Sequence, residues 1–214
     1  FAISHDFGAS WDTPRSLLRP PDSAGAPNRP YLKVWSDGIG RIGLLFTDGH
    51  PQQEASNRVY FARYEKGAFW KADGTRIATL DELPLNPAAC DVVYQGGPGG
   101  RAWLGSLSET PDGKPVAAYM RYPTTNDHRY QYARWDGKKW ADHAICAAGP
   151  AFPQAASDKP VSEPYFSGGL SLAADHADTV YLSRKVKDRF EIERWTTPDG
   201  GATWKSDAIT ENSS

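Results

Sequence analysis

The sequence predicts an all-β fold of repeated four-stranded antiparallel sheets, arranged as the blades of a partial β-propeller. Three observations predict it. First, two strings, Ser4-His5-Asp6-Phe7-Gly8-Ala9-Ser10-Trp11 and Thr197-Pro198-Asp199-Gly200-Gly201-Ala202-Thr203-Trp204, share the pattern hydroxyl-x-Asp-x-Gly-x-x-Trp. Second, tryptophans recur at Trp11, Trp70, Trp140 and Trp204, with spacings of 59, 70 and 64 residues that suit one four-stranded sheet plus a long connection. Third, 12% aromatic residues, 20 glycines and 17 prolines among 214 residues describe many short strands closed by turns. No stretch sustains apolar residues at helical spacing.

Each element follows from local chemistry. In the repeated string the Asp carboxylate accepts backbone N–H bonds inside a tight turn, the Gly supplies a φ that other residues resist, and the Trp covers the turn. Hairpins follow in Tyr60-Phe61-Ala62-Arg63-Tyr64-Glu65-Lys66-Gly67-Ala68-Phe69-Trp70 and Tyr132-Ala133-Arg134-Trp135-Asp136-Gly137-Lys138-Lys139-Trp140, with a third at Ile192-Glu193-Arg194-Trp195. A second register agrees: Arg29-Pro30-Tyr31-Leu32, Arg101-Ala102-Trp103-Leu104 and Glu163-Pro164-Tyr165-Phe166 each open a repeat. The blades are expected at about 24–80, 90–146 and 160–210, with 1–11 closing a preceding one. Within the first, strands are expected near 30–35, 41–47, 58–64 and 68–71. Propellers close with roughly four to eight blades, and an unclosed set leaves exposed edges. The chain is therefore expected to be a segment of a longer protein, partnered by the remaining blades of the full-length chain rather than by further copies.

Bulk properties narrow the function. A formal charge of −2 gives no electrostatic reason for nucleic acid or an anionic membrane as partner. No apolar run reaches the length of a membrane span. The chain begins at Phe1, close to a turn motif, so the start reads as trimmed and the absence of a leader carries little weight. Secreted or periplasmic is the expected location. Cys90 and Cys146 fit one disulfide or two buried thiols, and without a CxxC spacing a metal site on them is not expected.

Repetition also separates scaffold from site. Arg63, Arg134 and Arg194 recur in every blade, so they are expected to serve the blade, as are Asp6 and Asp199. Residues that differ between blades and share one face are the candidates for chemistry. The loops between second and third strands, with the inter-blade connections, point away from the Asp turns. His50 and His128 fall on such loops, and Arg184 begins the corresponding one in the third blade. The starts of the innermost strands bring Arg29, Tyr31, Arg101, Trp103 and Tyr165 to the same rim. His143 and His176 are expected to be ordinary surface residues. Imidazoles, guanidiniums and aromatic platforms on one rim suit an anionic polysaccharide: Arg pairs a carboxylate or sulfate in bidentate fashion, and rings pack on sugar faces.

The two Asp strings resemble the Asp box of BNR-repeat propellers, a group that includes sialidases, glycan-binding propellers and some polysaccharide lyases. Arg29-Pro30-Tyr31, Phe46-Thr47-Asp48-Gly49-His50-Pro51, Asp127-His128-Arg129-Tyr130, Tyr165 with Ser167-Gly168-Gly169, Tyr181-Leu182-Ser183-Arg184 and Arg194-Trp195-Thr196-Thr197-Pro198-Asp199-Gly200-Gly201 are similar to the BNR-4 subgroup. That subgroup is similar to ulvan-lyase-like polysaccharide lyases with seven-bladed propellers. The resemblance implies β-elimination on a uronate, with no metal or organic cofactor. His50, His128 and Tyr165 would be the catalytic set, with Tyr130 a second phenol for the leaving oxygen. Arg29, Tyr31, Arg101 and Arg184 would bind substrate. Two other readings stand beside it: a non-catalytic glycan-binding or structural propeller, and a sialidase-like hydrolase, against which the absence of an Arg-Ile-Pro entry counts.

Overall fold

A computed structural model describes residues 1–19, 30–51, 54, 56–97, 100–124, 127–149 and 169–213. These residues form three antiparallel sheets in sequence order. The first holds β1 (Leu32–Ser36), β2 (Arg41–Thr47), β3 (Val59–Glu65), β4 (Ala68–Trp70), β5 (Arg76–Thr79) and β6 (Asp91–Tyr94). The second holds β7 (Arg101–Glu109), β8 (Pro115–Thr124), β9 (Asp127–Trp135) and β10 (Trp140–Gly149). The third holds β11 (Leu170–Leu172), β12 (Thr179–Val186), β13 (Arg189–Thr196) and β14 (Lys205–Ala208). The described residues include 3-10 turns at Leu80–Glu82 and Pro87–Ala89.

Within each sheet the chain runs up and down between neighbours, apart from one substitution of partners. β3 pairs β4 through Arg63–Glu65 and β6 through Val59–Phe61, so two short strands share the position that β10 fills alone in the second sheet. The first strands β1, β7 and β11 pack side by side.

Alternation decides which side chains go where. Leu45, Val59, Phe61 and Val93 of the first sheet meet Ala102, Leu104, Ala117, Tyr119 and Ala133 of the second. The opposite face of the second sheet sends Ala118, Met120, Tyr122, Tyr130 and Tyr132 against Leu170, Leu172, Val180 and Leu182 of the third. The middle sheet is thus covered on both faces, which is why Pro115–Met120 of β8 is buried without interruption. The outer face of the first sheet (Leu44, Phe46, Tyr60, Phe69) packs on Leu17 and Leu18 of the N-terminal segment. A Cβ on Gly43 would come within 2.7 Å of Leu107 Cδ2, so glycine there lets the first two sheets close.

The two Asp turns are wired alike. Ser10 N–H donates to Asp6 Oδ1 at 2.8 Å, and Thr203 N–H donates to Asp199 Oδ1 at 2.8 Å. Gly8 N–H donates to Ser4 Oγ at 2.7 Å, as Gly201 N–H does to Thr197 Oγ1. The tryptophans expected at matching positions are less alike. Trp70 pairs with Arg63 and Trp140 with Trp135, while Trp204 stands outside the β13–β14 ladder. The turns that precede them differ in length, so each enters its fourth strand in a different register. Cys90 and Cys146 are both free thiols.

Candidate active site

The strand order gives the sheets two ends. The β1–β2, β7–β8 and β13–β14 turns lie at one, and Asp48–Pro51 with Asn57 and Arg58, the end of β8, the start of β9, the β12–β13 turn and the starts of β1 and β7 lie at the other. At this second end, where the first sheet meets the second, three rings converge. The His50 ring lies 4.6 Å from that of Trp103 and 5.5 Å from that of Tyr31, both edge-on, and Tyr31 and Trp103 are 5.7 Å apart. Tyr31 enters at the start of β1 and is 43% exposed, so the cluster opens to solvent. His50 is half-buried, and that burial lowers its pKa below 6.5. A neutral imidazole at neutral pH is a proton acceptor.

The loop that presents His50 is held from beneath. Thr47 and Asn57, both buried, hydrogen-bond to Gly49, the residue before the histidine. The neighbouring Asp48 accepts from Tyr60 Oη at 2.8 Å and from Arg58 N–H at 2.9 Å. Farther along the same seam, Tyr94 Oη donates to the Gly100 carbonyl at 2.8 Å, and the Arg121 guanidinium sits 5.8 Å from the Tyr94 ring centre.

The other expected site residues are distributed differently. Arg101 begins β7, two residues before Trp103, and is half-buried. His128 is 1% exposed and belongs to a separate aromatic group, 4.6 Å from the Tyr122 ring and 5.6 Å from that of Tyr130. Neither ring nitrogen of His128 has a hydrogen-bond partner, and burial depresses its pKa to about 4. The expectation that it would reach substrate beside His50 does not fit this enclosure. Arg184 is also engaged: Nε and Nη2 donate to Glu193 at 2.6 and 3.0 Å, and the guanidinium lies over Trp195. A carboxylate already fills the bidentate fork that was expected to take substrate. Tyr130 is fully buried and donates to the Ser183 carbonyl, so it cannot protonate a leaving group. Arg29 and Tyr165 lie outside the described residues. Among the described residues no group of three or more His, Cys, Asp or Glu gathers as metal ligands would, and no helix is long and apolar enough to cross a membrane.

Repeated sheets with this seam define a class. A family model described as "BNR repeat-containing family member" matches residues 6–147, and the chain belongs to that family. Comparison with curated proteins finds no significant match. Among solved structures it is similar to a PL25 ulvan lyase, a polysaccharide lyase, bound to -[GlcA(1-4)Rha3S]-, with a TM-score of 0.70 and 15% identity over 98% of this chain and 49% of the lyase. A second structure of a PL25 ulvan lyase gives a TM-score of 0.69 at 16% identity. The Hadza microbial sialidase Hz136 gives 0.56 at 14% identity, over 99% of this chain and 40% of the sialidase. The chain spans about half the length of the lyase it matches.

Proposed function

We propose that the three sheets are blades of a larger propeller that binds a uronate-containing anionic polysaccharide and cleaves it by β-elimination. The observation that carries this reading is the solvent-open cluster of His50, Tyr31 and Trp103 at the seam of the first two sheets. His50 takes the proton from C5 of the uronate. The electron pair left at C5 forms the C4=C5 double bond, and the C4–O bond breaks. Tyr31 gives its phenolic proton to the departing oxygen. Trp103 offers a face for a sugar ring, and Arg101 neutralises the carboxylate whose enolate character grows in the transition state. The likeness in fold to a lyase bound to a glucuronate-containing fragment supports the substrate class.

The test is incubation of the purified protein with uronate polymers, following ultraviolet absorbance of unsaturated ends. Product is expected from the wild type and lost, by roughly a hundredfold or more, in His50→Ala. Because burial lowers the His50 pKa from 6.5, kcat/KM should rise from acid through an apparent pKa below 6.5 and be level by neutral pH. Polymer binding without unsaturated product would overturn the elimination chemistry and leave a glycan-binding propeller.

A further inference from the structure

We infer that Asn57 and Thr47 are positioning residues that set the geometry of the Tyr31–His50–Trp103 cluster, an inference that rests on the reading of His50 as the reacting base. Asn57 is 0% exposed and Thr47 1% exposed. Such polar groups are costly to bury in a sheet seam unless their hydrogen bonds are made.

They are made in a particular arrangement. Asn57 Oδ1 accepts from Gly49 N–H at 3.0 Å, and Nδ2 donates to the carbonyls of Gly49 at 2.9 Å and Ala102 at 2.8 Å. Gly49 immediately precedes His50, and Ala102 immediately precedes Trp103. One amide therefore ties together the backbones that carry the two rings in 4.6 Å contact, although they belong to different sheets. Thr47 completes the set. Its Oγ1 donates to the Gly49 carbonyl at 2.8 Å and accepts from Tyr31 N–H at 3.3 Å, while its own N–H donates to the Tyr31 carbonyl at 3.1 Å.

Each ring thus sits on, or one residue from, a backbone group held by one of these two side chains. Gly49 has both its N–H and its carbonyl engaged by Asn57 and Thr47, which, with the Asp48 contacts to Tyr60 and Arg58, hold the loop where no strand ladder does. A proton acceptor works only within a few tenths of an ångström of its target, and a displacement of about 1 Å costs on the order of a hundredfold in rate. The two side chains act on the reaction through His50 and touch no substrate.

Thr47→Val keeps the shape of the side chain and removes both its hydrogen bonds, and Thr47→Ser restores the hydroxyl. Asn57→Asp keeps shape and the acceptor but removes the amide donors. Two readouts separate positioning from turnover: kcat and KM on a uronate polymer, and the NMR resonance of the His50 Hε1 proton, which the Trp103 and Tyr31 ring currents shift. Thr47→Val should lower kcat roughly ten- to a hundredfold with KM within about twofold, and should move the His50 resonance. Thr47→Ser should recover both, and Asn57→Asp, where folded, should move the resonance further. If Thr47→Val leaves the His50 resonance in place, or Thr47→Ser fails to restore it, the inference is overturned. A wild-type protein without turnover would overturn the assignment of His50 as base, and the resonance would still decide whether Thr47 and Asn57 place its ring.

Discussion

Lowering the pH from 7 to 4.5 should destabilise the protein through His128. Its side chain is 1% exposed between Tyr122 and Tyr130, both ring nitrogens lack partners, and its pKa is depressed from 6.5 to about 4 by burial, against a smaller opposing effect of Asp127. The sign follows from the neutral form being the one that fits. Between these two values the unfolded chain binds the proton and the folded chain does not, so stability is lost as pH falls. The depression corresponds to about 3 kcal/mol, of which roughly 2 kcal/mol is expressed between pH 7 and 4.5. Urea unfolding of the wild type and His128→Leu at both pH values isolates the contribution. The wild type should lose about 2 kcal/mol more than the variant across this interval, and at pH 7 the variant should be at least as stable, because two unpaired buried nitrogens are gone. Equal losses in the two proteins, or an NMR titration in which His128 protonates near 6.5, would refute the reasoning.

Three further outcomes are expected. Asp199→Ala should lower the melting temperature by removing the acceptor for Thr203 N–H and Thr203 Oγ1, while leaving cleavage or polymer affinity intact; an activity loss at unchanged melting temperature would count against a structural role. Gly201→Ala should destabilise by roughly 1–3 kcal/mol, since φ is +106° and the added Cβ would fall 2.8 Å from Tyr132 Cδ1; denaturant midpoints measure it. Arg184→Met should weaken stability rather than polymer affinity, because its fork is spent on Glu193, which would be left with the Trp195 Nε1 hydrogen bond; calorimetric titration with polymer beside a melting curve separates the two.

Strand positions were readable because both sheet faces are packed and the turns are chemically marked. The apolar run Leu44-Leu45-Phe46, buried on both faces of β2, and the Lys66-Gly67 turn, where Lys66 has φ 51° and Gly67 φ 80°, leave little freedom for β2 to β4. The share of β3 taken by β6 was not readable, since Asp91–Tyr94 pairs across an intervening excursion whose length no local pattern sets. For the site, the sequence indicated His50 and Tyr31 by topology. It gave no warning that His128 turns into the seam of the second and third sheets, or that Arg184 finds Glu193 on the neighbouring strand, because both depend on which strand face meets the next sheet. Asn57 was missed for a different reason: an asparagine seven residues beyond His50 looks like any loop residue until Ala102 of another sheet is seen to accept its proton.

The divided partnership of β3 bears on how this protein can change. After β4 the chain turns back as β5 along the edge of β4, crosses residues 80–90 and returns as β6 on β3, so β3 anchors the strands at both ends of the excursion. The β1–β2–β3 ladder forms its backbone bonds without this stretch, but Ala78, Leu85 and Cys90 within it cover Leu44, Phe46 and Tyr60 of that ladder. The exposed turn at Asp73–Thr75, rather than the buried part of the stretch, is therefore a natural splice point. Segments could be lengthened, shortened or exchanged there, giving related proteins new outer surfaces, without altering the register that holds His50 in place.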